Sequence, residues 1–182
     1  MKPIFLDRDG VINRFPGVGN YVLSWEDFQF LPKAVEAIVL LNKNGFAPIV
    51  ISNQGCVAHG LISSKDLWAL TDRMNREIEK AGGKIAQVYY CEHRGSDHCE
   101  CKKPKAGLLR KALECYPTDV KATYFIGDTE MDVEAGKNIG CQTVLVLCGR
   151  AVAADVKNFK IQPDKVEKDL WSAVQWLLKQ KS

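Results

Sequence analysis

The chain has 182 residues, a length that suits one domain, and its 46% hydrophobic and 26% charged residues are ordinary for a globular protein. The net charge of +3 comes from basic residues that are scattered along the chain rather than clustered. We therefore expect neither a nucleic-acid partner nor a membrane partner, because such proteins usually carry a concentrated basic patch or a long apolar segment.

Short apolar runs alternate with amphipathic segments in the first half of the chain. The runs at 3–7 and 46–53 predict buried strands. Periodic apolar residues predict helices over 31–45 and 63–83, and Ser63 has the spacing of a capping-box residue at the start of the second helix.

The second half continues the same alternation. Strands are predicted at 84–90, 122–128, 142–148 and, weakly, 159–161, with helices over 106–117 and 131–140. The stretch 150–165 is the least patterned and is predicted to be a loop. The last helix is predicted to turn inward the apolar residues Val166, Leu170, Val174 and Leu177.

Strands that alternate with helices are typical of a parallel sheet with helices on both faces. We therefore predict a three-layer, Rossmann-like α/β fold, built as a single domain over 1–182, and we expect a monomer. The first ten residues have no long apolar stretch of the kind found in a secretory signal, so we expect a cytoplasmic protein.

Reactive residues follow four of the predicted strands, and function in an open parallel sheet gathers at the carboxyl ends of its strands. The four groups are Asp7-Arg8-Asp9, Ser52-Asn53-Gln54, a Cys/His segment followed by Lys102-Lys103, and Gly127-Asp128.

The pair Asp7 and Asp9 is compatible with two kinds of chemistry. Two carboxylates can hold a hard cation such as Mg²⁺, or they can act as a nucleophile and a general acid/base. A solvated turn is the alternative for the pair alone, and Asp128 at a second strand end favours a functional site. With Lys103 and Ser52 added, the set predicts a phosphate pocket, because cations and hydroxyl or N–H groups together stabilise a phosphate anion.

The segments "FLDRDG", "ISNQG", "CKKPK" and "FIGDTEMD", in this order, resemble the four motifs of the haloacid dehalogenase (HAD) phosphatase superfamily. The resemblance covers about residues 3–150. "DRDGVIN" and the Cys/His loop resemble the zinc-loop branch of the superfamily, whose members act on heptose bisphosphates or on histidinol phosphate.

The resemblance implies catalytic roles for the matching residues. Asp7 would form an aspartyl-phosphate, and Asp9 would serve as the general acid and then as the general base. Asp128 would bind Mg²⁺ together with Asp7 and the backbone carbonyl of Asp9. Ser52 and Lys103 would hold the phosphoryl group that is transferred.

The resemblance also implies supporting roles at neighbouring positions. Asn53, Gln54 and Lys102 are predicted to bind the substrate. Asp132 is compatible either with a catalytic supporting role or with a carboxylate that only stabilises the first turn of a helix.

The Cys/His segment offers three thiolates and one imidazole in Cys91, His93, Cys99 and Cys101. This is a ligand set for tetrahedral zinc, and a closed site with four protein ligands is structural rather than catalytic. The C-x-H and C-x-C spacings are tighter than the usual C-x₂-C, but the resemblance supports a zinc site. His98 is a rival nitrogen ligand.

Two other interpretations of these cysteines are weaker. A reducing compartment disfavours disulfides, and a redox centre would be expected to show C-x-x-C. The four other cysteines, at positions 56, 115, 141 and 148, are expected to be small buried hydrophobes or bystanders.

The resemblance thus implies a Mg²⁺-dependent phosphatase for a small phosphorylated metabolite, with the 7-phosphate of D-glycero-D-manno-heptose 1,7-bisphosphate as the favoured target. Histidinol phosphate is the alternative substrate. A non-catalytic phosphate-binding or zinc-stabilised interaction module is the alternative of another class, which the intact nucleophile argues against. The chain is too short for a large cap domain, so specificity is expected to come from loops 13–30 and 55–62 and from the zinc loop.

Overall fold

The computed structural model describes residues 1–180, in which strands and helices alternate along the chain. The strands are β1 (Lys2–Leu6), β2 (Phe46–Asn53), β3 (Gln87–Cys91), β4 (Tyr124–Gly127), β5 (Gln142–Val146) and β6 (Lys165–Glu167). The helices are α1 (Ala34–Lys43), α2 (Ser64–Lys80), α3 (Gly107–Cys115), α4 (Glu130–Ile139), α5 (Ala153–Val156) and α6 (Leu170–Lys179). Short 3₁₀ turns occur at Gly95–Asp97 and Val120–Ala122.

The six strands form one sheet in the order β3-β2-β1-β4-β5-β6, and every neighbouring pair is parallel. The strand order reverses between β1 and β4, where Phe5 lies opposite Phe125. In open α/β sheets, ligands bind in the crevice at such a reversal, outside the carboxyl ends of the strands. The topology therefore directs attention to the residues that follow β1 and β4.

The two faces of the sheet are covered by different helices. Successive side chains of β1 point to opposite faces, so Ile4 and Leu6 pack with α1, α2 and α6, whereas Phe5 packs with α3 and α4. All three side chains are fully buried. The predicted three-layer α/β arrangement is confirmed. Within residues 1–180, no helix is both long enough and apolar enough to cross a bilayer.

Helix α2 begins as its sequence predicts. The hydroxyl of Ser63 accepts a hydrogen bond from the backbone N–H of Asp66 at 3.1 Å. This bond satisfies one of the backbone donors that have no partner within the first turn of a helix. The two glycines at 82–83 follow the helix, which ends at Lys80.

The tail differs from the sequence prediction in the short helix α5, which lies within the predicted loop 150–165, and in two further assignments. The weak strand predicted at 159–161 is wrong: the edge strand is β6, and Phe159 and Ile161 instead pack on the small cluster around Val156. Val166 belongs to β6 and is 36% exposed, so it does not form part of the inward face of α6. A three-residue edge strand is too short to produce a recognisable alternation, which explains both errors.

The inward face of α6 gives a direct test of the core. Leu177 is fully buried in the cluster beneath α1, and we expect Leu177→Ala to lower the free energy of unfolding by about 2–5 kcal/mol, because the lost side chain leaves a cavity. Gln175 is exposed on the same helix, so Gln175→Ala is the matched control. This variant should change the free energy of unfolding by no more than about 0.5 kcal/mol. Urea unfolding of both variants measures the difference; equal losses would contradict this packing.

Candidate active site

Polar residues that follow β1, β2 and β4 line one cavity of about 240 Å³ at the carboxyl edge of the sheet. Its floor contains Asp7, Ser52, Lys103 and Asp128, whose exposed fractions are only 8%, 2%, 3% and 2%. Burial of so many polar groups is costly unless they pair with one another or with a ligand. These residues therefore form a preformed polar site rather than a solvated turn.

Lys103 is the central cation of this floor. Its Nζ lies 2.9 Å from Asp7 Oδ2 and 2.6 Å from Asp132 Oδ1, and it donates to the carbonyl of Ile51 at 3.0 Å. Burial alone would lower the pKa of Lys103, but the carboxylates of Asp132 and Asp7 raise it above its ordinary value. The ammonium group therefore stays charged.

Asn53 fixes the backbone from which Lys103 extends. Its Oδ1 accepts a hydrogen bond from the N–H of Lys103 at 3.0 Å, and its Nδ2 donates to the carbonyl of the same residue at 3.1 Å. One side chain thus pairs with both backbone groups of Lys103. Asn53 thus holds the lysine in place, and it also lines the cavity in which its contact with substrate is predicted.

The carboxylates of Asp7, Asp128 and Asp132 lie within 4.8 Å of one another around a single lysine. Burial, partly offset by Lys103, raises the pKa of Asp7 to about 6. Burial and the neighbouring carboxylates raise the pKa of Asp128 to about 8. The site therefore holds more negative charge than Lys103 can offset. An oxygen-only donor set with excess negative charge fits a hard cation such as Mg²⁺.

Asp132 is held by the start of α4 as well as by Lys103. Its Oδ2 accepts hydrogen bonds from the N–H groups of Asp128 and Thr129 and from the Thr129 hydroxyl, at 3.2, 3.0 and 2.6 Å. The sequence left open whether Asp132 supports the site or only stabilises the helix. In the structure one carboxylate pairs with Lys103 and also accepts from the start of α4, so it joins the helix terminus to the lysine.

The backbone around Asp128 approaches its side chain very closely. A Cβ atom added at Gly10 or Gly149 would lie 2.2 or 2.1 Å from Asp128 Oδ2, and Gly10 has a φ of +85°. Side chains are excluded at both positions, and at Gly10 the left-handed conformation favours glycine as well. Asp128 Oδ2 also accepts a hydrogen bond from the N–H of Arg150 at 2.7 Å.

Asp9 and Gln54 lie beside this floor. Gln54 is 1% exposed and donates from Nε2 to Asp9 Oδ2 at 2.7 Å. The guanidinium of Arg8 pairs with Asp9 at 3.0 Å and is itself fully buried. Sequence reasoning did not single out Arg8. The available signal was its place between two aspartates at a strand end, where it must point away from Asp7.

The rim of the cavity is formed by loops and by basic residues. Lys102, His59 and Arg150 line it, together with the segment 15–21. Lys102 Nζ donates to the carbonyl of His93 at 3.2 Å, which connects the rim to the Cys/His segment. Sequence reasoning assigned no role to Arg150, which follows β5.

The four predicted zinc ligands converge behind the two lysines. The Sγ atoms of Cys91, Cys99 and Cys101 lie 3.1–3.6 Å from one another, and His93 Nδ1 lies 3.2 Å from Cys101 Sγ. These separations are too long for disulfides and close to the edge of about 3.8 Å expected for a tetrahedron with Zn–S bonds of about 2.3 Å. His98 is exposed and lies outside this group of four.

The chemistry of the cluster also fits a cation. Burial raises the pKa of the Cys91 thiol, and burial together with the neighbouring thiols raises the pKa of Cys101 strongly. Burial would raise the pKa of Cys99 as well, but hydrogen bonds with Cys101 and the backbone lower it. Two of the three thiols thus resist ionisation, and a bound metal would stabilise all three as thiolates. The set Cys91, His93, Cys99 and Cys101 is therefore suited to zinc.

Comparison with known proteins agrees with this geometry. The family model of HAD-hydrolase-like proteins matches residues 100–173. The D-glycero-beta-D-manno-heptose-1,7-bisphosphate 7-phosphatase of Pseudomonas aeruginosa is 36% identical over 149 residues, which is 82% of this chain and 83% of the relative. The enzyme of that name from Bordetella bronchiseptica is 30% identical over 180 residues and 99% of both chains.

A solved structure of D,D-heptose 1,7-bisphosphate phosphatase from B. bronchiseptica, complexed with magnesium and phosphate, superimposes with a TM-score of 0.92. It is 30% identical and the match covers 99% of both chains. The chain therefore belongs to the heptose-1,7-bisphosphate 7-phosphatase family of HAD phosphatases, which are phosphoric monoester hydrolases.

Proposed function

We propose that this protein hydrolyses the 7-phosphate of D-glycero-D-manno-heptose 1,7-bisphosphate through an aspartyl-phosphate on Asp7. The observation that carries the proposal is the convergence of Asp7, Ser52, Lys103 and Asp128 in one buried cavity. The names of the relatives described above favour the heptose over histidinol phosphate. A pure binding module would have no use for a nucleophile paired with a buried lysine.

The geometry supports Asp7 as the nucleophile. Its Oδ1 accepts the N–H of Arg8 at 2.7 Å and its Oδ2 accepts Lys103 Nζ, so the carboxylate is fixed at the cavity floor. An Asp7 oxygen would form the new bond to phosphorus as the bond to the sugar oxygen breaks. Lys103 lowers the repulsion between the two anions, and Ser52 lies close enough to the floor to hold a phosphoryl oxygen.

Asp9 would move the protons in both steps. In the first step its carboxyl group gives a proton to the departing sugar oxygen. In the second step it takes a proton from the water whose oxygen attacks phosphorus, and the bond from phosphorus to Asp7 breaks to release phosphate. Asp9 lines the same cavity as Asp7, with its side chain 21% exposed.

Both metals are part of the proposal. The carboxylates of Asp7 and Asp128 and the carbonyl of Asp9 would hold Mg²⁺, and Cys91, His93, Cys99 and Cys101 would hold zinc. When bound, Mg²⁺ supplies positive charge that offsets both the carboxylates and the phosphoryl group. The zinc loop places Lys102 at the cavity rim through the carbonyl of His93.

Kinetics on matched substrates test the proposed substrate. We expect kcat/KM for the heptose bisphosphate to exceed that for histidinol phosphate by at least about 100-fold, because differences in pocket contacts readily supply a few kcal/mol. Phosphate release with Mg²⁺ present measures both. Asp7→Asn is the control and should abolish turnover, since a carboxamide is not a competent nucleophile. A preference for histidinol phosphate would overturn the substrate, and turnover by folded Asp7→Asn would overturn the mechanism.

The raised pKa of Asp128 makes the metal-free protein sensitive to pH. Between the unfolded pKa near 3.8 and the folded pKa of about 8, the native state holds a proton that the unfolded chain has lost. Stability should therefore fall as pH rises through this window, and Asp7, with a folded pKa of about 6, adds to the fall in its lower part. We expect a loss of several kcal/mol between pH 5 and pH 8 in chelator, because each pH unit over which the native state alone keeps a proton contributes about 1.4 kcal/mol.

Asp128→Asn should flatten this pH dependence, because the carboxamide has no charge to bury. The exposed Asp72 gives the control variant Asp72→Asn, which should keep the wild-type slope. Mg²⁺ should raise the melting temperature of the wild type more at pH 8 than at pH 5. Parallel slopes for Asp128→Asn and the wild type would show that Asp128 is not the group responsible.

The Cys/His cluster predicts one zinc ion per chain. Cys99→Ser should lose zinc, lower the melting temperature and reduce turnover, because the segment that delivers Lys102 and Lys103 would no longer be fixed. Cys115 is exposed outside the cluster, so Cys115→Ser should keep both zinc and activity. Elemental analysis measures the metal. Protein purified without chelator that contains no zinc would refute the site, and zinc lost in His98→Ala but not in His93→Ala would refute the ligand set.

A further inference from the structure

The guanidinium of Arg8 is a buried charge that the proposed chemistry leaves without a role. The side chain is fully buried on the α2 side of the sheet, with its guanidinium carbon 5.6 Å from the centre of the Tyr90 ring. Taking such a group out of water costs several kcal/mol unless its partners are well placed. The identity of those partners therefore indicates what the buried charge does.

Asp9 accepts most of the hydrogen bonds that Arg8 donates. Asp9 Oδ1 accepts from Arg8 Nε at 3.3 Å and Nη2 at 3.1 Å, and Asp9 Oδ2 accepts from Nη2 at 3.0 Å. Asn13 Nδ2 adds a bond to Oδ1 at 2.8 Å. Because Arg8 and Asp9 are neighbours in the chain, their ion pair closes no loop and joins no separate elements. What it does fix is the direction of the Asp9 carboxylate.

Gln54, the residue after β2, completes this arrangement. Its Nε2 donates to Asp9 Oδ2 at 2.7 Å and to Ser52 Oγ at 3.2 Å, while its Oε1 accepts from Arg8 Nη2 at 3.1 Å. With 1% of its surface exposed, Gln54 has its amide directed at protein groups. It links the acid/base carboxylate to the hydroxyl expected to hold the phosphoryl group.

We propose that Arg8 and Gln54 are positioning residues, which together hold the Asp9 carboxylate in the geometry that proton transfer requires. The inference rests on the proposed role of Asp9. Gln54 thereby acts on the substrate through Asp9, and not by direct contact. A displacement of about 1 Å at such a group can cost about 100-fold in rate.

The identity of the leaving group separates positioning of Asp9 from a general loss of structure. An alkyl phosphate needs a proton from Asp9 as the phosphorus–oxygen bond to the alcohol breaks. p-Nitrophenyl phosphate does not, because p-nitrophenolate leaves as a stable anion. Breakdown of the aspartyl-phosphate needs Asp9 for either substrate, since water must lose a proton as it attacks phosphorus.

The test uses Gln54→Met and Arg8→Lys in the full-length, Mg²⁺-loaded enzyme. Met keeps the length of Gln but lacks its amide group. Lys keeps the charge of Arg but lacks the planar guanidinium group with its several N–H donors. On an alkyl phosphate we expect kcat to fall about 100-fold, with KM within about threefold of wild type. On p-nitrophenyl phosphate we expect a rapid burst near one equivalent of p-nitrophenolate per active site, followed by turnover about 100-fold slower than wild type.

Thr71→Val is the matched control. Thr71 is also buried near this network and bonds to the Tyr90 hydroxyl at 2.9 Å, but it does not contact Asp9. It should lower the melting temperature while keeping wild-type kinetics on both substrates. If Arg8→Lys fails to fold, as judged by circular dichroism and its melting temperature, Gln54→Met decides the result.

Equal losses on both substrates without a burst, or wild-type rates in Gln54→Met, would overturn the positioning role.

The wild-type enzyme decides the proposed function separately. If it hydrolyses fructose 1,6-bisphosphate but not the heptose bisphosphate, the substrate assignment fails, and the comparison of variants proceeds with fructose 1,6-bisphosphate as the alkyl phosphate. If the wild type hydrolyses none of these compounds, both the proposed function and this inference fail.

Discussion

The ion pairs of one buried lysine constrain the rest of the site. Lys103 is 3% exposed, and it remains charged there because Asp7 and Asp132 offset the loss of hydration. Each partner is anchored in a different part of the fold: Asp7 follows β1, and Asp132 lies in the first turn of α4. The lysine thereby ties two sides of the strand-order reversal together. Any disturbance of its position is therefore transmitted to Asp7, the proposed nucleophile.

The same lysine explains why the surrounding segments are built as they are. Asn53 holds its backbone on both sides, and the Cys/His cluster lies directly before it in the chain. A long flexible side chain at the end of a loop would otherwise lose considerable entropy when it is fixed in place. Asn53 of β2 and the Cys/His cluster both restrain Lys103, so the lysine has little conformational freedom left to lose when an anion binds. This is preorganisation built into the resting protein.

Sequence patterns predicted the sheet and the location of the reactive edge because both depend on local signals. The apolar run at 46–53 coincides with β2, and Asp7 and Asp128 follow their strands as expected. The four predicted zinc ligands were readable because they lie close together in the sequence and because their loop resembles the zinc loop of a known branch of phosphatases.

The remaining features depend on contacts between distant parts of the chain. Asn53 and Gln54 appear alike in sequence, as amides that follow a strand, yet one holds a lysine backbone and the other holds a carboxylate. Arg150 reaches the cavity only because β5 lies beside β4. The edge strand β6 was misplaced since three residues carry too little pattern. Such partners are set by tertiary packing, which periodicity does not encode.

The closeness of Gly10 and Gly149 to Asp128 has a consequence for how this enzyme family can diversify. The backbone of Gly10 and Gly149 lies against the Asp128 carboxylate on two sides. No substitution at these two positions can therefore enlarge or reshape the space around the carboxylate. Its dimensions are a property of the fold itself. The outer loops, such as 15–21, are the part of the cavity where changes of side chain can alter its shape. A larger space for an ion beside Asp128 would first require movement of the backbone after β1 and β5.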